Sequence, residues 1–571
     1  MKVKTFYLLI VGILIAAANA PAQNRSILEY TDIHSDKFIK NTQRYKQYEG
    51  RVIRKINIII LEPFGKTVAD TNINNARWIG RLGNLLHIST RASVIENLLL
   101  IHEGQIFDAL ETLESERLIG QGSFVNDSRT IIEAVGEEYV DITFIISDIW
   151  SIHAELTSPC DPYTFHLYEN NFLGLAHRFD NTLSYHVKEQ TDFAFSGNYT
   201  IPYIYKTYTA VSVSYSTSPT NRSKRIVIER PFFSPLTDWA GGIGLSENVE
   251  YNSPITKNGT NPYAFRNIEQ DYWIGRNFQI DKLERSRRLG IAARILNIHY
   301  RSKPPPQSDT VNFHQNSTFI LGTIAYNFRA FYIDRNIYRF GATEDVPTGI
   351  LVALTAGYQR QELFSRPYFR SGLAYGKYFP GLGNISAGVD LGTFIHQGKA
   401  EQGNIRLSFS YFSKIFTLRK WGFRQFVHSL ANIGIARLPY EKISLNDDDE
   451  LLGFQSDELK GTKKMALTFQ SVLYSPYSIM GFRFAPVFLI GFGMLGDEHN
   501  FLFQKTIYQS YGAGILIRNE SLGFRTFQLS IAIYPFVPGY NKPVYNLNPV
   551  GVYDLRFQNF FIQKPGMVPF H

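Results

Sequence analysis

From Trp150 to the end of the chain, apolar and small polar side chains alternate with a period of two, and no other feature constrains the fold as much. Val211, Val213 and Tyr215 alternate with Ser212, Ser214 and Ser216, and Leu407, Phe409 and Tyr411 with Arg406, Ser408 and Ser410. Phe527, Leu529, Ile531 and Ile533 alternate with Gln528, Ser530 and Ala532, and Tyr553, Leu555 and Phe557 with Asp554, Arg556 and Gln558. Successive side chains of a strand point to opposite faces, so each segment carries one greasy and one polar face. A soluble sandwich satisfies this pattern by turning the greasy faces inward. A membrane barrel turns them outward to lipid and pairs every backbone group by closing the sheet. The strands are long, no helical domain interrupts them, and no later apolar run reaches the ~18–20 residues of a spanning helix. The expected fold is therefore mainly β, with a C-terminal transmembrane antiparallel barrel. About eighteen to twenty strands can be marked, and an even number is expected of a single-chain barrel. Thr217 to Arg225, Tyr251 to Asn261, Lys303 to Thr310 and the acidic Asn446 to Glu450 read as loops. The chain is expected to end on a strand, with Phe561 and Phe570 as its aromatic signal.

The N-terminus sets the compartment. Lys2 and Lys4 precede an apolar run from Phe6 to Ala18, then Ala20-Pro21-Ala22. A charged start, a short greasy core and an A-x-A-like site make residues 1–22 a signal peptide for export. The single cysteine, Cys160, excludes an intrachain disulfide. The formal charge of +8 is spread over a chain only 19% charged, without a basic run, which argues against nucleic acid. Aromatic residues reach 15%, as expected of a barrel with aromatic girdles at both membrane interfaces.

Between the leader and the barrel lie a polar lead-in, 23–50, and a small α+β domain, 51–148. Val52 to Leu61 is β-branched and strand-like. Residues 66–89 read as irregular. Thr90 is placed to cap a helix through Val94, Leu98 and Ile101 that Gly104 ends. Asp108 caps a second, through Leu110, Leu113 and Leu118, ended by Gly120. Strands from Thr130 to Val135 and from Tyr139 to Ile146 complete a β-α-α-β-β order. The barrel then occupies 149–571.

This arrangement resembles the POTRA-plus-barrel outer-membrane superfamily, which includes assembly barrels of the BamA/TamA type, bacterial surface antigens and two-partner secretion transporters. The POTRA likeness rests on Val52-Ile53-Arg54-Lys55-Ile56, on Val94 to Gly104, on Leu113 to Phe124 and on the closing strand Val140 to Ile146. Glu169, Asn171 and Gly174 match an E-x-N-x-x-G turn at the head of the barrel. Leu451-Leu452-Gly453-Phe454, with Gly461 and the strand from Lys464 to Tyr474, resembles the family's long lumenal loop and the strand after it. Two departures are coupled. The family's loop arginine is replaced by Leu452, and the acid it meets is replaced by Gly491, in Gly491-Phe492-Gly493. Losing one partner would strand a buried charge; losing both removes the problem. Gly453 and Phe454 are therefore expected to anchor the loop without an ion pair, and the arginine–acid pair to be restorable only as a pair. The resemblance implies about sixteen strands. It implies insertion of proteins into the outer membrane or translocation across it, the POTRA domain facing the periplasm and taking clients by β-augmentation. The partners implied are outer-membrane lipid, unfolded or extended client polypeptides and accessory assembly subunits. A surface antigen or structural barrel that moves nothing, and a diffusion pore for small solutes, are the alternatives.

No catalytic constellation is expected, and neither cofactor nor metal is implied. Pro63-Phe64-Gly65-Lys66-Thr67 ends like a phosphate loop, but Ile60 stands where the first glycine belongs. His102-Glu103 lacks the second histidine of a zinc motif. Asp447 to Glu450 lack the turn glycine and ligand spacing of a calcium loop.

Overall fold

A computed structural model describes residues 28–30, 45–66, 78–157, 163–186, 192–251, 264–281, 286–304, 314–337, 343–446, 451–479, 482–498, 506–519, 526–547 and 560–570, with residue 457 excepted and a few isolated positions between these stretches added. The leader, Cys160, Asp447 to Glu450 and the strand expected at Tyr553 to Phe557 lie outside the described residues.

The N-terminal domain comprises β1 (Val52–Leu61), α1 (Trp78–Leu86), α2 (Ala92–Leu98), α3 (Ala109–Gly120), β2 (Val125–Val135) and β3 (Tyr139–Asp148). Its sheet has the order β1-β3-β2, with β3 parallel to β1 and antiparallel to β2. Asp108 caps α3 as expected, its Oδ1 accepting from the Glu111 amide at 2.9 Å. Three expectations are corrected, the first being the end of α2, which stops at Leu98 and leaves Ile101 and Gly104 outside the helix. Residues 66–89 include α1. Arg91 occupies the N-cap position of α2, because the Thr90 hydroxyl donates to Asp148 at 2.7 Å instead of capping. The core of the domain joins Ile53, Ile95, Leu98, Phe107, Ile119 and Phe144. It also takes in Tyr45, from ahead of the sequence-based boundary, and Ala176 and Tyr208, from the barrel turns.

Among the described residues outside this domain, twenty-three strands form one sheet; three of them (Leu28–Tyr30, Phe416–Leu418 and Tyr477–Ile479) are three-residue pieces, leaving twenty in an antiparallel meander. The first seven are β4 (Ile152–Thr157), β5 (Tyr163–Phe172), β6 (His177–His186), β7 (Asp192–Ile201), β8 (Ala210–Thr217), β9 (Asn221–Arg230) and β10 (Trp239–Tyr251). Long strands follow: β11 (Ala264–Gln279), β12 (Arg287–Ser302), β13 (Ser317–Arg335), β14 (Thr343–Gln361), β15 (Ser365–Phe379), β16 (Gly383–His396), β17 (Lys399–Ser413) and β18 (Trp421–Ile435). The last are β19 (Lys463–Tyr474), β20 (Phe482–Gly496), β21 (Ile507–Asn519), β22 (Phe527–Tyr534) and β23 (Val544–Leu547). The count exceeds the sixteen that the resemblance implies. Thr217 to Arg225, expected as a loop, is largely strand: only residues 218–220 turn, and Arg222 pairs with Thr217. Five charged side chains among ten residues, Arg222, Lys224, Arg225, Glu229 and Arg230, disguise β9.

The strand order leads from β23 back to β4. The sheet curls on itself: inward-facing Tyr332, Phe412, Phe426, Val472, Val487 and Leu516, from six different strands, pack into one cluster. Arg424 on β18 reaches Asp334 on β13 at 2.9 Å. On β13 the inward residues Phe319, Leu321, Thr323, Ala325, Asn327 and Arg329 are buried, whereas Ile320 and Ile324 between them are 57% and 49% exposed. Leu354, Phe369, Leu373, Ile490 and Ile531 continue that apolar outer surface around the sheet. Isolated apolar side chains are ordinary on a soluble surface; a continuous belt of them is not.

Candidate functional site

Two junctions make up the site: the mouth where the α+β domain meets the barrel, and the lumen. The mouth is built on the turn after β5. Glu169 Oε1 accepts from the Asn171 amide at 2.9 Å, and Asn171 Oδ1 accepts from the Ala176 amide at 2.9 Å, so two side chains fix the turn. Asn171 then donates to the Thr90 hydroxyl at 3.0 Å. Gly174 has φ +70°, and a Cβ there would lie 2.4 Å from the Ser89 carbonyl. That carbon's absence lets the Arg91 amide donate to the Gly174 carbonyl at 2.9 Å. Buried Asp148 gathers the same region, accepting from the Thr90 amide and hydroxyl and contacting His87 Nε2 at 3.0 Å.

A second clamp lies across the mouth. Arg117 on α3 binds Glu114, donates to the Phe233 carbonyl at 2.8 Å, and lies over the Phe331 ring of β13. Tyr208 stacks on Phe233 with centroids 3.9 Å apart and donates to the Leu98 carbonyl at 3.1 Å. Burial pushes the Tyr208 hydroxyl well above its usual range, so it remains a donor. Sequence reading missed Arg117, Tyr208 and Phe233. An arginine and an acid three apart on a helix otherwise read as a solvated pair.

The lumen holds two pieces of the chain itself. The first is the long segment between β18 and β19, which enters from the end opposite the α+β domain. Leu451 and Phe454 are buried among Ile443, Leu445, Leu489, Tyr508, Tyr534 and Val537. Phe454 is 1% exposed, its ring 5.7 Å from Tyr508 and 6.0 Å from Tyr534. Tyr534 donates to the Leu452 carbonyl, and Gly453 sits at φ +74° to make the turn between them. Gly461 bridges Ile443 and closes on β20, where a Cβ would lie 2.4 Å from the Gly496 carbonyl. Leu452 is half-buried against apolar side chains. Gly491 faces Leu451, not Leu452: a Cβ there would stand 2.9 Å from Leu451 Cδ2 and 2.4 Å from Ser510 Oγ. Apolar packing thus fills the place where the sequence expectation put a missing ion pair. Contrary to that expectation, no acidic side chain fits at residue 491 unless Ser510 moves.

The second piece corrects the expected terminal strand. Phe561 and Phe570 are not on a strand: residues 560–570 run without regular structure along the inner wall. Asn327 donates to the Phe560 carbonyl at 3.1 Å, Arg294 to that of Pro565 at 3.0 Å and Arg370 to that of Gly566 at 3.2 Å. Phe561 lies under the Arg329 guanidinium and Phe570 under that of Arg437. Phe570 also packs against the cluster that buries Phe454, so the two lumenal pieces meet. Pro565 and Pro569 carried the signal. Proline cannot donate to a ladder, and two in a short stretch argue against a strand.

Apolar outside and filled inside, with a small α+β domain clamped to one mouth, the fold defines a class: a single-chain β-barrel with an appended domain and its own chain in the lumen. No protein-family model matches the sequence, and no curated protein matches it. Similar solved structures include BamA from Haemophilus ducreyi lacking POTRA domains 1–3, at 11% identity and a TM-score of 0.36, over 87% of this chain and 83% of that one. CdiB from Escherichia coli, at 12% identity and a TM-score of 0.41, covers 91% and 80% of the two chains. CdiB from Acinetobacter baumannii, at 10% and 0.35, covers 91% and 78%. At this degree of superposition the neighbours add nothing to what strands, turns and lumen already display.

Proposed function

We propose that this chain is an outer-membrane barrel that inserts proteins into the membrane or carries them across it, with the α+β domain acting as a periplasmic POTRA that receives extended clients. The observation that carries this reading is the pairing of an apolar outer belt with a domain fastened to the barrel mouth at two places. The belt suits lipid, since every exposed apolar strand residue would otherwise face water. The clamps fasten the two ends of α2 and the middle of α3 to the barrel turns, and those helices cover a small sheet. Of its two edge strands, β1 is partly covered: Ile53 exchanges backbone hydrogen bonds with Gly104 and Gln105. The edge of β2 is the better template for a client strand, recognised through main-chain groups and so with little sequence preference. No nucleotide is needed in this scheme; client folding supplies the drive. A lumen crossed by the chain's own segments disfavours a simple solute pore and suits a barrel that opens for its client.

The test is photocrosslinking in intact outer membranes from an aromatic ketone side chain placed at Glu133, an exposed residue of β2. Covalent adducts with exported polypeptides are expected. A correctly folded barrel that yields no adduct there, or from Ile59 of β1, would leave the structural-barrel alternative standing in its place.

A further inference from the structure

The hydrogen bonds between residues 560–570 and the wall run chiefly to main-chain groups of the segment, while its side chains Phe560 and Ile562 are buried against the wall at 0% and 3% exposure. Besides the three carbonyls bound by Asn327, Arg294 and Arg370, Asn404 donates to the Pro569 carbonyl at 2.5 Å, and the Val568 amide donates to Tyr368 Oη at 2.8 Å. The donors come from β12, β13, β15 and β17, so one strip of wall collects main-chain groups along the whole segment. Only one charge of the segment is read: Lys564 Nζ sits 2.8 Å from Asp271, which Arg294 also holds. Glycines make the room. A Cβ at Gly290 would lie 1.9 Å from Ile562, at Gly376 2.6 Å from Phe560, and at Gly392 2.7 Å from Val568. The strip also has capacity to spare. Arg329 is 6% exposed, and its Nε and Nη1 meet no hydrogen-bond partner among the described residues; nor does Asn404 Oδ1. A buried guanidinium with two unsatisfied donors is costly, which marks the present occupant as an imperfect ligand.

We infer that this strip of the inner wall is a binding site for extended polypeptide, and that residues 560–570 are its built-in competitor. A transiting segment takes the same side-chain donors through its own carbonyls and displaces the resident one. That the visitor is a client rests on the transport reading above; the site itself does not. The resident segment is tethered, so it competes at a high effective concentration and keeps the strip closed until a client is already delivered to the mouth.

The test uses purified barrel with and without residues 560–571, folding being scored by heat-dependent gel mobility. The probes are two fluorescent peptides, one with the sequence of residues 559–571 and one of equal length and unrelated sequence. Both should bind the shortened barrel, within about tenfold of each other, and bind the intact barrel on the order of a hundredfold more weakly. Asn327→Ala with Asn404→Ala should weaken both by roughly tenfold, because two main-chain contacts go. If the shortened chain does not fold, the intact chain carrying Phe560→Ala and Ile562→Ala, which leaves the wall unchanged and loosens the resident segment, replaces it. That chain should bind both peptides on the order of tenfold more tightly than the parent, and an unchanged affinity overturns the inference. A folded, open barrel that takes neither peptide, or only the one of its own sequence, overturns the inference. Binding of both peptides together with a failure of the Glu133 crosslinks would uphold the site and reject the transport reading.

Discussion

At the scale of single residues, what decides the lumen is volume. Phe454 fills a pocket between Tyr508 and Tyr534 and is buried to 1% exposure. Phe454→Ala should cost about 3–5 kcal/mol, the usual cost of emptying a well-packed aromatic site, and should lower the denaturant midpoint of the refolded barrel. Gly491→Asp should destabilise too, because its first side-chain carbon would already overlap Ser510 and Leu451. Adding Leu452→Arg should not rescue it. Unfolding midpoints of the two single variants and the double variant decide this, and a double variant as stable as the parent would show that the wall can yield. At the mouth, Gly174→Ala combines a left-handed backbone with a contact against the Ser89 carbonyl. It should loosen the α+β domain from the barrel without unfolding either, seen as faster proteolysis of the α+β domain at constant barrel heat-stability. The glycines, the aromatic anchor and the turn motif were all visible in the sequence as residue types at spacings. Which atom each one touches was not, since Gly491 turned out to serve Leu451 and not its neighbour.

At the scale of elements, the α+β domain shows where sequence patterns stop being informative. With α1, the observed order is β-α-α-α-β-β. The strands, the helices α2 and α3 and the Asp108 cap follow from periodicity and capping chemistry. The boundary does not: Tyr45 is buried in the domain core and donates to Glu116, and Tyr48 donates to the Ile132 carbonyl. A polar lead-in gives no hint that two tyrosines within it reach back. A fragment of residues 45–148 should therefore melt at a higher temperature than one of 51–148, by calorimetry under matched conditions. The same fragment allows a pH experiment. On the surface of the sheet the Arg54 guanidinium, hydrogen-bonded to Asp141, holds that carboxyl below its usual value. A depressed carboxylate stabilises the fold above the unfolded value of about 3.9, and that contribution fades as pH falls through the folded one. Arg54→Gln should thus lower the melting temperature at pH 6 by a small amount, and the difference should vanish toward pH 2. A gap that widened with acid would reverse the assignment. Helix α1 and strand β9 were missed for opposite reasons. The helix is short and holds two glycines, Gly80 and Gly83, in its nine residues, whereas the charges of the strand hide its alternation.

At the scale of the whole molecule, the alternation of side chains was enough to specify a large antiparallel sheet with a greasy outer face. The mature protein should fractionate with the outer membrane and migrate faster unboiled than boiled on a gel; recovery as soluble periplasmic protein would contradict the barrel reading. What alternation could not specify is the content of the lumen, because an inward face says nothing about what lies against it. Residues 560–570 touch the inward faces of strands from β11 to β18, far from them in sequence. Such long-range contacts form late and slowly in an ordinary fold. Here they carry a constraint of order. A strand sheet can zip from neighbour to neighbour, but a segment lying inside a closed wall must either be in place before the ends of the sheet meet or be drawn in afterwards through a mouth. Synthesis delivers residues 560–570 after every strand that surrounds them. Assembly of this barrel is then a matter of threading as much as of pairing, and its slowest step should respond to changes at Phe560 and Ile562 that leave the finished sheet untouched.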